Sequence, residues 1–335
     1  MKVLKIIGII VLVILLIGLG IVLFGPSEVH MQRQITIDAP ASDVYREVSG
    51  FKTFDKYSAW AGIDTTAIMT VEGPASGVGA KYTWDSEDPS LGKGGIVIIE
   101  TVPNQLVRSE MQFDGYPGKP IASWTLTEEG GTTTVSYGYD EEGISGIMKI
   151  FSLGTSSMLG PKYDETLAKL KERGESKPDF AYTMDEFDAK ASAYVGVKAT
   201  STPDPDAISQ AMGDAYGLVN EYMMKNNIEM AGPPISIVLS YDETSTSMIC
   251  GMPTASLLEV ESEIIMSGET YAGMTVKTIH KGDYALMEAA YQDIVEYMAY
   301  YNLEQNGDPW EVYVTDPGNV PDTAEWITEI YFPFN

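Results

Sequence analysis

The feature that most restricts what this chain can fold into is a repeat of itself. Glu221-Tyr222-Met223 returns 75 residues later as Glu296-Tyr297-Met298. At the same offset Asn227-Ile228-Glu229 answers to Asn302-Leu303-Glu304, Gly232 to Gly307 and Pro234 to Pro309. Met212, Tyr216, Val219 and Met223 correspond to Met287, Tyr291, Ile294 and Met298. Each set runs i, i+4, i+7, i+11, which is one apolar stripe of a helix. Strand-like segments at 193–200 and 274–280 precede the two helices, and a Gly/Pro turn with a second strand (235–239, 310–315) follows each. A unit this small cannot bury its own apolar face. Two copies are therefore expected to pack together with pseudo-twofold symmetry, the Met and Tyr stripes reading first as core. The copies are not chemically equal: Ser236 stands where the second has Glu311, and Val238 where it has Tyr313. One repeat keeps the polar groups and the other offers apolar wall.

The repeat fills less than half of the 335 residues, so a further body is expected before it. The polar stretch 172–190, with Gly174 and Pro178, reads as the boundary. Ahead of it, 31–37 reads as a strand and Asp38-Ala39-Pro40-Ala41-Ser42-Asp43 as a helix entry. Val44 and Val48 then share one helical face, and Phe51, Phe54 and Trp60 form an apolar cluster. Strand-like runs follow at 65–71, 80–84, 95–101, 106–113, 121–127 and 132–139, the last two joined by Glu128-Glu129-Gly130-Gly131 as a hairpin. Tyr163, Leu167 and Leu170 mark a helix beginning just after Pro161.

Residues 6–24 carry no charge and are almost entirely Ile, Leu, Val and Gly, long enough to span a bilayer as a helix. A cleaved signal peptide is the competing reading, but no A-x-A site follows the run. Lys2 and Lys5 precede it and the next basic residue is Arg33, so the positive-inside rule places the N-terminus in the cytoplasm and the rest outside. The chain has 48 acidic and 21 basic residues, a net charge of −27. Without Lys2 and Lys5 the remainder carries −29. Such a charge disfavours nucleic acid and docking on anionic lipid. The single cysteine, Cys250, permits no internal disulfide, and two histidines, His30 and His280, make a zinc site or a Ser-His-Asp triad improbable. No cofactor and no metal are expected.

Local phrases of the first body agree with a known family: Ile37-Asp38-Ala39-Pro40 with Val44, Phe54-Asp55-Lys56-Tyr57-Ser58-Ala59-Trp60, Ile99-Glu100-Thr101-Val102-Pro103-Asn104, and Ala122-Ser123-Trp124-Thr125-Leu126. With the order strand, helices, about six antiparallel strands and a long helix, this body resembles the helix-grip fold of the START-like polyketide cyclase/dehydrase (SRPBCC) superfamily. The resemblance implies a cavity closed by the last helix, which many members use for hydrophobic small molecules; a filled cavity in a spacer domain is the other reading.

The repeated body resembles the GyrI-like domain, also the effector-binding domain of multidrug-responsive transcription regulators. The carrying residues are His280-Lys281-Gly282-Asp283-Tyr284, Gly307-Asp308-Pro309-Trp310-Glu311-Val312-Tyr313 with Asp316-Pro317, and Trp326-Ile327-Thr328-Glu329-Ile330-Tyr331-Phe332-Pro333. Alternation puts Glu329 and Tyr331 on one face of the last strand and Ile330 and Phe332 on the other. By itself Glu329 reads as a solvent-facing carboxylate. The resemblance implies instead that it lines an aromatic groove between the repeats and recognises cationic lipophilic compounds, with Tyr313, Trp310, Glu311, Tyr284 and Tyr331 as the other binding residues.

The expected architecture is α+β: an anchor at 1–25, a START-like domain at 28–173, a linker at 174–190, and a duplicated βαββ GyrI-like domain at 191–335. The expected function is a membrane-anchored binder of hydrophobic or cationic small molecules outside the cytoplasm, partnered by the membrane and by no nucleic acid. Two alternatives stay open. One is a hydrolase of strained cyclopropane compounds, implied by the GyrI resemblance, with Glu329, Tyr313 and Glu311 as catalytic candidates. The other is a structural ectodomain with closed pockets.

Overall fold

A computed structural model describes residues 2–315 and 318–335, with side chains from Leu4 on. Asp316 and Pro317 of the expected motif, and the side chain of Lys2, lie outside the described residues. The chain divides into two compact units that meet between Lys177 and Pro178.

The first unit opens with α1 (Lys2–Phe24), whose apolar side chains are largely exposed. Among the described residues this one helix is long and apolar enough to cross a membrane, and a signal sequence has the same character. Then come β1 (Val29–Ile37), the short helices α2 (Ala41–Val48) and α3 (Phe54–Tyr57), and six strands: β2 (Ile68–Glu72), β3 (Lys81–Asp85), β4 (Lys93–Val102), β5 (Leu106–Phe113), β6 (Ile121–Glu129) and β7 (Thr132–Glu141). They form one antiparallel sheet in the order β1-β7-β6-β5-β4-β3-β2. After the short α4 (Met148–Ser152), the long α5 (Thr155–Glu175) packs across β1. Pro161 lies inside α5 and does not mark its start. The lost hydrogen bond of one proline is tolerated there because Tyr163, Thr166, Leu167 and Leu170 are buried against the sheet.

A stack of rings occupies the space between α5 and the sheet. Trp124 lies parallel to Tyr137 at 3.7 Å, and Tyr137 stacks on Tyr163 of α5 at 4.0 Å. Arg173, near the end of α5, pairs at 2.7 Å with the buried Glu47 of α2, which also accepts from Thr53 Oγ1 at 2.7 Å.

The second unit contains β8 (Asp185–Ala189), β9 (Ala193–Ser201), α6 (Pro205–Lys225), β10 (Ile235–Tyr241), β11 (Thr246–Pro253), β12 (Ile265–Glu269), β13 (Gly273–Lys281), α7 (Glu288–Tyr300), β14 (Trp310–Tyr313) and β15 (Ile327–Pro333). The stretch expected as linker is half structured, which corrects that expectation: β8 pairs with β13 and covers what would otherwise be an open edge. Just ahead of β8, Phe180, Tyr182 and Met184 pack on the core beneath α7, an apolar contribution hidden in a polar stretch.

The sheet order β12-β9-β11-β10-β14-β15-β13-β8 is a palindrome of repeat positions, so the pseudo-twofold axis passes between β10 and β14. The sheet must also be strongly curled. β12 and β13 stand six strand places apart, yet only residues 270–272 join them. Flat, those places would span about 29 Å, while such a link reaches about 14 Å. Residues 190–192 join β8 to β9 in the same way. The two links meet where Thr270 N donates to Ser192 O at 3.0 Å and Ser192 N to Thr270 Oγ1 at 2.9 Å. The helices cover one face, where Val219 and Met223 of α6 and Ile294 and Met298 of α7 are buried as the stripes predict. The other face is lined by Tyr194, Ile235, Ile237 and Trp310.

Candidate functional site

Strand alternation sorts the expected site residues onto the two faces of this sheet. On β14, Trp310 and Val312 belong to the helix-free face, while Glu311 and Tyr313 point under the helices. On β15, Ile330 and Phe332 are in the core beneath α7, and Tyr331 lies on the helix-free face. There Tyr331 stacks on Trp310 with ring centroids at 4.7 Å and planes 4° apart. Glu329 shares that face. It accepts from Tyr331 Oη at 2.5 Å and pairs with Lys277 Nζ at 3.4 Å, all half-buried. Glu329 is thus neither a lone surface charge nor a neighbour of Tyr313 and Tyr284. The expected set does not form one constellation.

Glu311 is the carboxylate that the helices enclose. It is buried, and its two oxygens accept hydrogen bonds from Tyr291 Oη of α7 and Tyr313 Oη of its own strand. No Lys, Arg or His pairs with it among the described residues. Burial raises its pKa above the ordinary glutamate value, and the two phenol hydrogen bonds oppose that shift. Burial, and secondly the Glu311 charge, holds the phenols of Tyr291 and Tyr313 well above their ordinary range, so both are donors. Cys250 lies two strands away on the same face, and burial pushes its thiol up to about 12.

Aromatic rings extend the cluster outward. Tyr284 meets Tyr313 edge-on at 5.4 Å and Trp326 at 4.6 Å, and Tyr216 of α6 approaches Tyr313 at 6.5 Å. Tyr216 Oη donates to Ile235 O at 2.7 Å. Tyr284 and Trp326 are half-buried and Leu286, two residues after Tyr284, is exposed, so the cluster reaches the surface.

His280 of the expected motif is buried behind this site. Its Nε2 must be the protonated nitrogen, because it faces the carbonyl of Asp283 at 3.0 Å; Nδ1 then accepts from Tyr182 Oη at 2.9 Å. Such a histidine orients the turn that carries Tyr284 and is spent as a ligand. Among the described residues no group of three acidic, histidine or cysteine side chains is arranged to hold a metal.

Sequence reasoning missed Tyr216, Tyr291 and Trp326 as members of the cluster. Tyr216 and Tyr291 are the same stripe position of the two helices, a position that reads as core. The available signal was their shared offset with Ser236 and Glu311, which places both tyrosines against the pseudo-twofold axis.

Residues 28–175 match the family model for polyketide cyclase/dehydrase and lipid transport proteins, and residues 186–335 match that for the GyrI-like small molecule binding domain. No curated protein matches the chain. Among solved structures, the EcmrR–DNA complex is similar at 18% identity over 56% of this chain and 71% of that one, with a TM-score of 0.42. The EcmrR C-terminal domain matches at 20% identity over 46% of this chain and 98% of its own, TM-score 0.41. A hydrolase from Listeria innocua matches at 14% identity over 50% and 98%, TM-score 0.35. Behind its apolar N-terminal helix, the chain therefore carries a polyketide cyclase/dehydrase-like domain followed by a GyrI-like small molecule binding domain.

Proposed function

We propose that the second unit binds a lipophilic cation over Glu311, with Tyr216, Tyr284, Tyr313 and Trp326 as its aromatic walls. The observation that carries this reading is a buried carboxylate with no basic partner among the described residues, held instead by two phenols. An uncompensated buried charge is costly, and aromatic rings beside it favour a cation. Glu311, not Glu329, is the cation-recognising group in this reading, because Glu329 already has Lys277. The anchor reading is retained: α1 holds the protein in the membrane with both bodies outside, supported by Lys5 ahead of the uncharged run and by the acidic remainder. That acidity also speaks against a nucleic-acid partner.

Calorimetry on the full-length protein in detergent tests the reading, with tetraphenylphosphonium and neutral triphenylphosphine oxide as probes. Glu311→Gln should weaken the cation by about 1.5–3 kcal/mol and leave the neutral probe unchanged. Cation affinity of the wild type should rise with pH as Glu311 loses its proton, with proton release on binding. Equal cation affinity in both proteins would sink the reading.

A hydrolytic reading is favoured by one observation, the Glu311 carboxyl beside the Tyr313 hydroxyl with its pKa raised by burial, since a carboxyl that holds its proton more tightly suits general acid–base work. Turnover of a strained cyclopropane substrate, abolished in Glu311→Gln while binding persists, would establish it.

A further inference from the structure

The helix-free face of the second sheet holds a pocket that the Glu311 site does not use. It measures about 230 Å³ and lies where residues 270–272 close the curl, lined by Tyr194, Ile237, Tyr271 and Trp310 with the exposed carboxylates of Glu269 and Asp308. The sequence builds these walls firmly. Gly268 and Gly251 leave room for Tyr194: a Cβ at Gly268 would stand 2.6 Å from the Tyr194 hydroxyl, and one at Gly251 would stand 3.1 Å from its ring. Trp310 is held by its parallel stack on Tyr331. The Tyr271 hydroxyl accepts from Asn306 Nδ2 at 3.1 Å. The rings are fixed before any ligand arrives, which spares the cost of ordering them on binding.

The lining contains no Lys, Arg or His, and neither Glu269 nor Asp308 has an ion-pair partner among the described residues. Electron-rich ring faces attract cations, two carboxylates supply opposite charge, and a chain of −27 repels anions. The volume falls below the range of about 300–1,000 Å³ that suits drug-sized ligands, so the occupant is small. We propose that this pocket binds a small organic ammonium ion against the Trp310 and Tyr271 rings and the Glu269 and Asp308 carboxylates. It is a site distinct from Glu311: Trp310 and Glu311 are consecutive residues of one strand and point to opposite faces of the sheet.

The test uses full-length protein in detergent and a matched pair of probes, choline and its uncharged isostere 3,3-dimethylbutan-1-ol. Choline should bind at least about tenfold more tightly than the alcohol. The double substitution Asp308→Asn, Glu269→Gln should weaken choline about tenfold while tetraphenylphosphonium binding at Glu311 persists; these are exposed carboxylates, so the fold should tolerate the change. Tyr271→Leu should weaken choline with both carboxylates intact. Equal binding of choline and the alcohol, no binding of choline, or choline affinity that falls in Glu311→Gln but not in the double variant would each overturn the proposal. The last result would also place choline at the helix-side site, so failure of this pocket and failure of the Glu311 reading are distinguishable.

Discussion

Ser236 and Glu311 face each other across the two central strands of the second unit, and they are the same position of its two repeats. Duplication alone would have put two carboxylates side by side at the pseudo-twofold axis, under the helices. Like charges so close and so buried cannot both ionise. One repeat instead carries a small hydroxyl there, which leaves a single carboxylate for the phenols of Tyr291 and Tyr313.

That arrangement makes stability depend on pH with a definite sign. The folded state raises the pKa of Glu311 above the ordinary value of 4.5, so it holds the proton more tightly than the unfolded chain does. The contribution is fully present below pH 4.5 and is lost as pH rises through the folded value. The thermal stability of the second unit should therefore fall across a window that begins near pH 4.5. Glu311→Gln should remove that part of the slope and leave the unit more stable than wild type at neutral pH. Identical slopes in the two proteins would show that Glu311 is not held protonated by burial.

The repeat made the second fold legible. Its helical stripes and the pseudo-twofold packing follow from the 75-residue offset, and a strand stands ahead of each helix at 193–200 and 274–280 as expected. The site was less legible, because the sequence does not say which face of a strand a helix will cover. Glu329 and Glu311 both sit among apolar neighbours, and alternation places them on opposite faces of the sheet. Only the position of α6 and α7 decides which face is enclosed. Lys277, the partner of Glu329, lies 52 residues away in sequence, and their pairing depends on the β13–β15 register. Strand β8 was hidden for a similar reason: its apolar residues are few and gain their meaning from the edge they cover.

In the first unit, the Glu47–Arg173 pair joins α2 to the end of α5 across 126 residues of sequence. Glu47 is 3% exposed and Arg173 14%, so little solvent is at hand to replace either partner of the pair. Glu47→Ala should cost about 3–5 kcal/mol, read as a lower denaturant midpoint for the first unit with the second unit unchanged. Replacing both residues together should cost less than the two single changes combined. A loss under about 1 kcal/mol for Glu47→Ala would mark the pair as solvent-screened.

The reading of α1 as an anchor makes a fractionation experiment decisive. The protein should remain in the membrane after carbonate washing, and a C-terminal tag should be open to external protease on intact cells. Inserting two arginines at Leu12 and Leu16, mid-helix in the apolar run, should release it from the membrane, since each charge at the bilayer centre costs about 2.5–3.5 kcal/mol. A shortened soluble wild-type product would show instead that the segment is a cleaved signal.

The ring stack of Trp124, Tyr137 and Tyr163 bears on whether the helix-grip unit is a spacer or a second binder. Tyr163 projects from α5 toward the sheet and is 1% exposed, and its hydroxyl lies beside the equally buried Tyr137. The three rings thus stack one on another between α5 and the sheet. Tyr163→Ala should cost about 3–5 kcal/mol through lost burial and a residual cavity. The void would be walled by the exposed face of Tyr137 and by Trp60, which meets Tyr163 edge-on at 5.7 Å, and such apolar voids accept small aromatic molecules. Indole or phenol should therefore restore part of the lost stability in Tyr163→Ala and have no effect on the wild type, a shift readable by thermal melting at fixed ligand concentration. Rescue confined to the variant would mark the stack as the plug of a latent cavity. Stabilisation of the wild type by the same compounds would show that the cavity is open beside the stack, and the first unit would then be a binding domain in its own right.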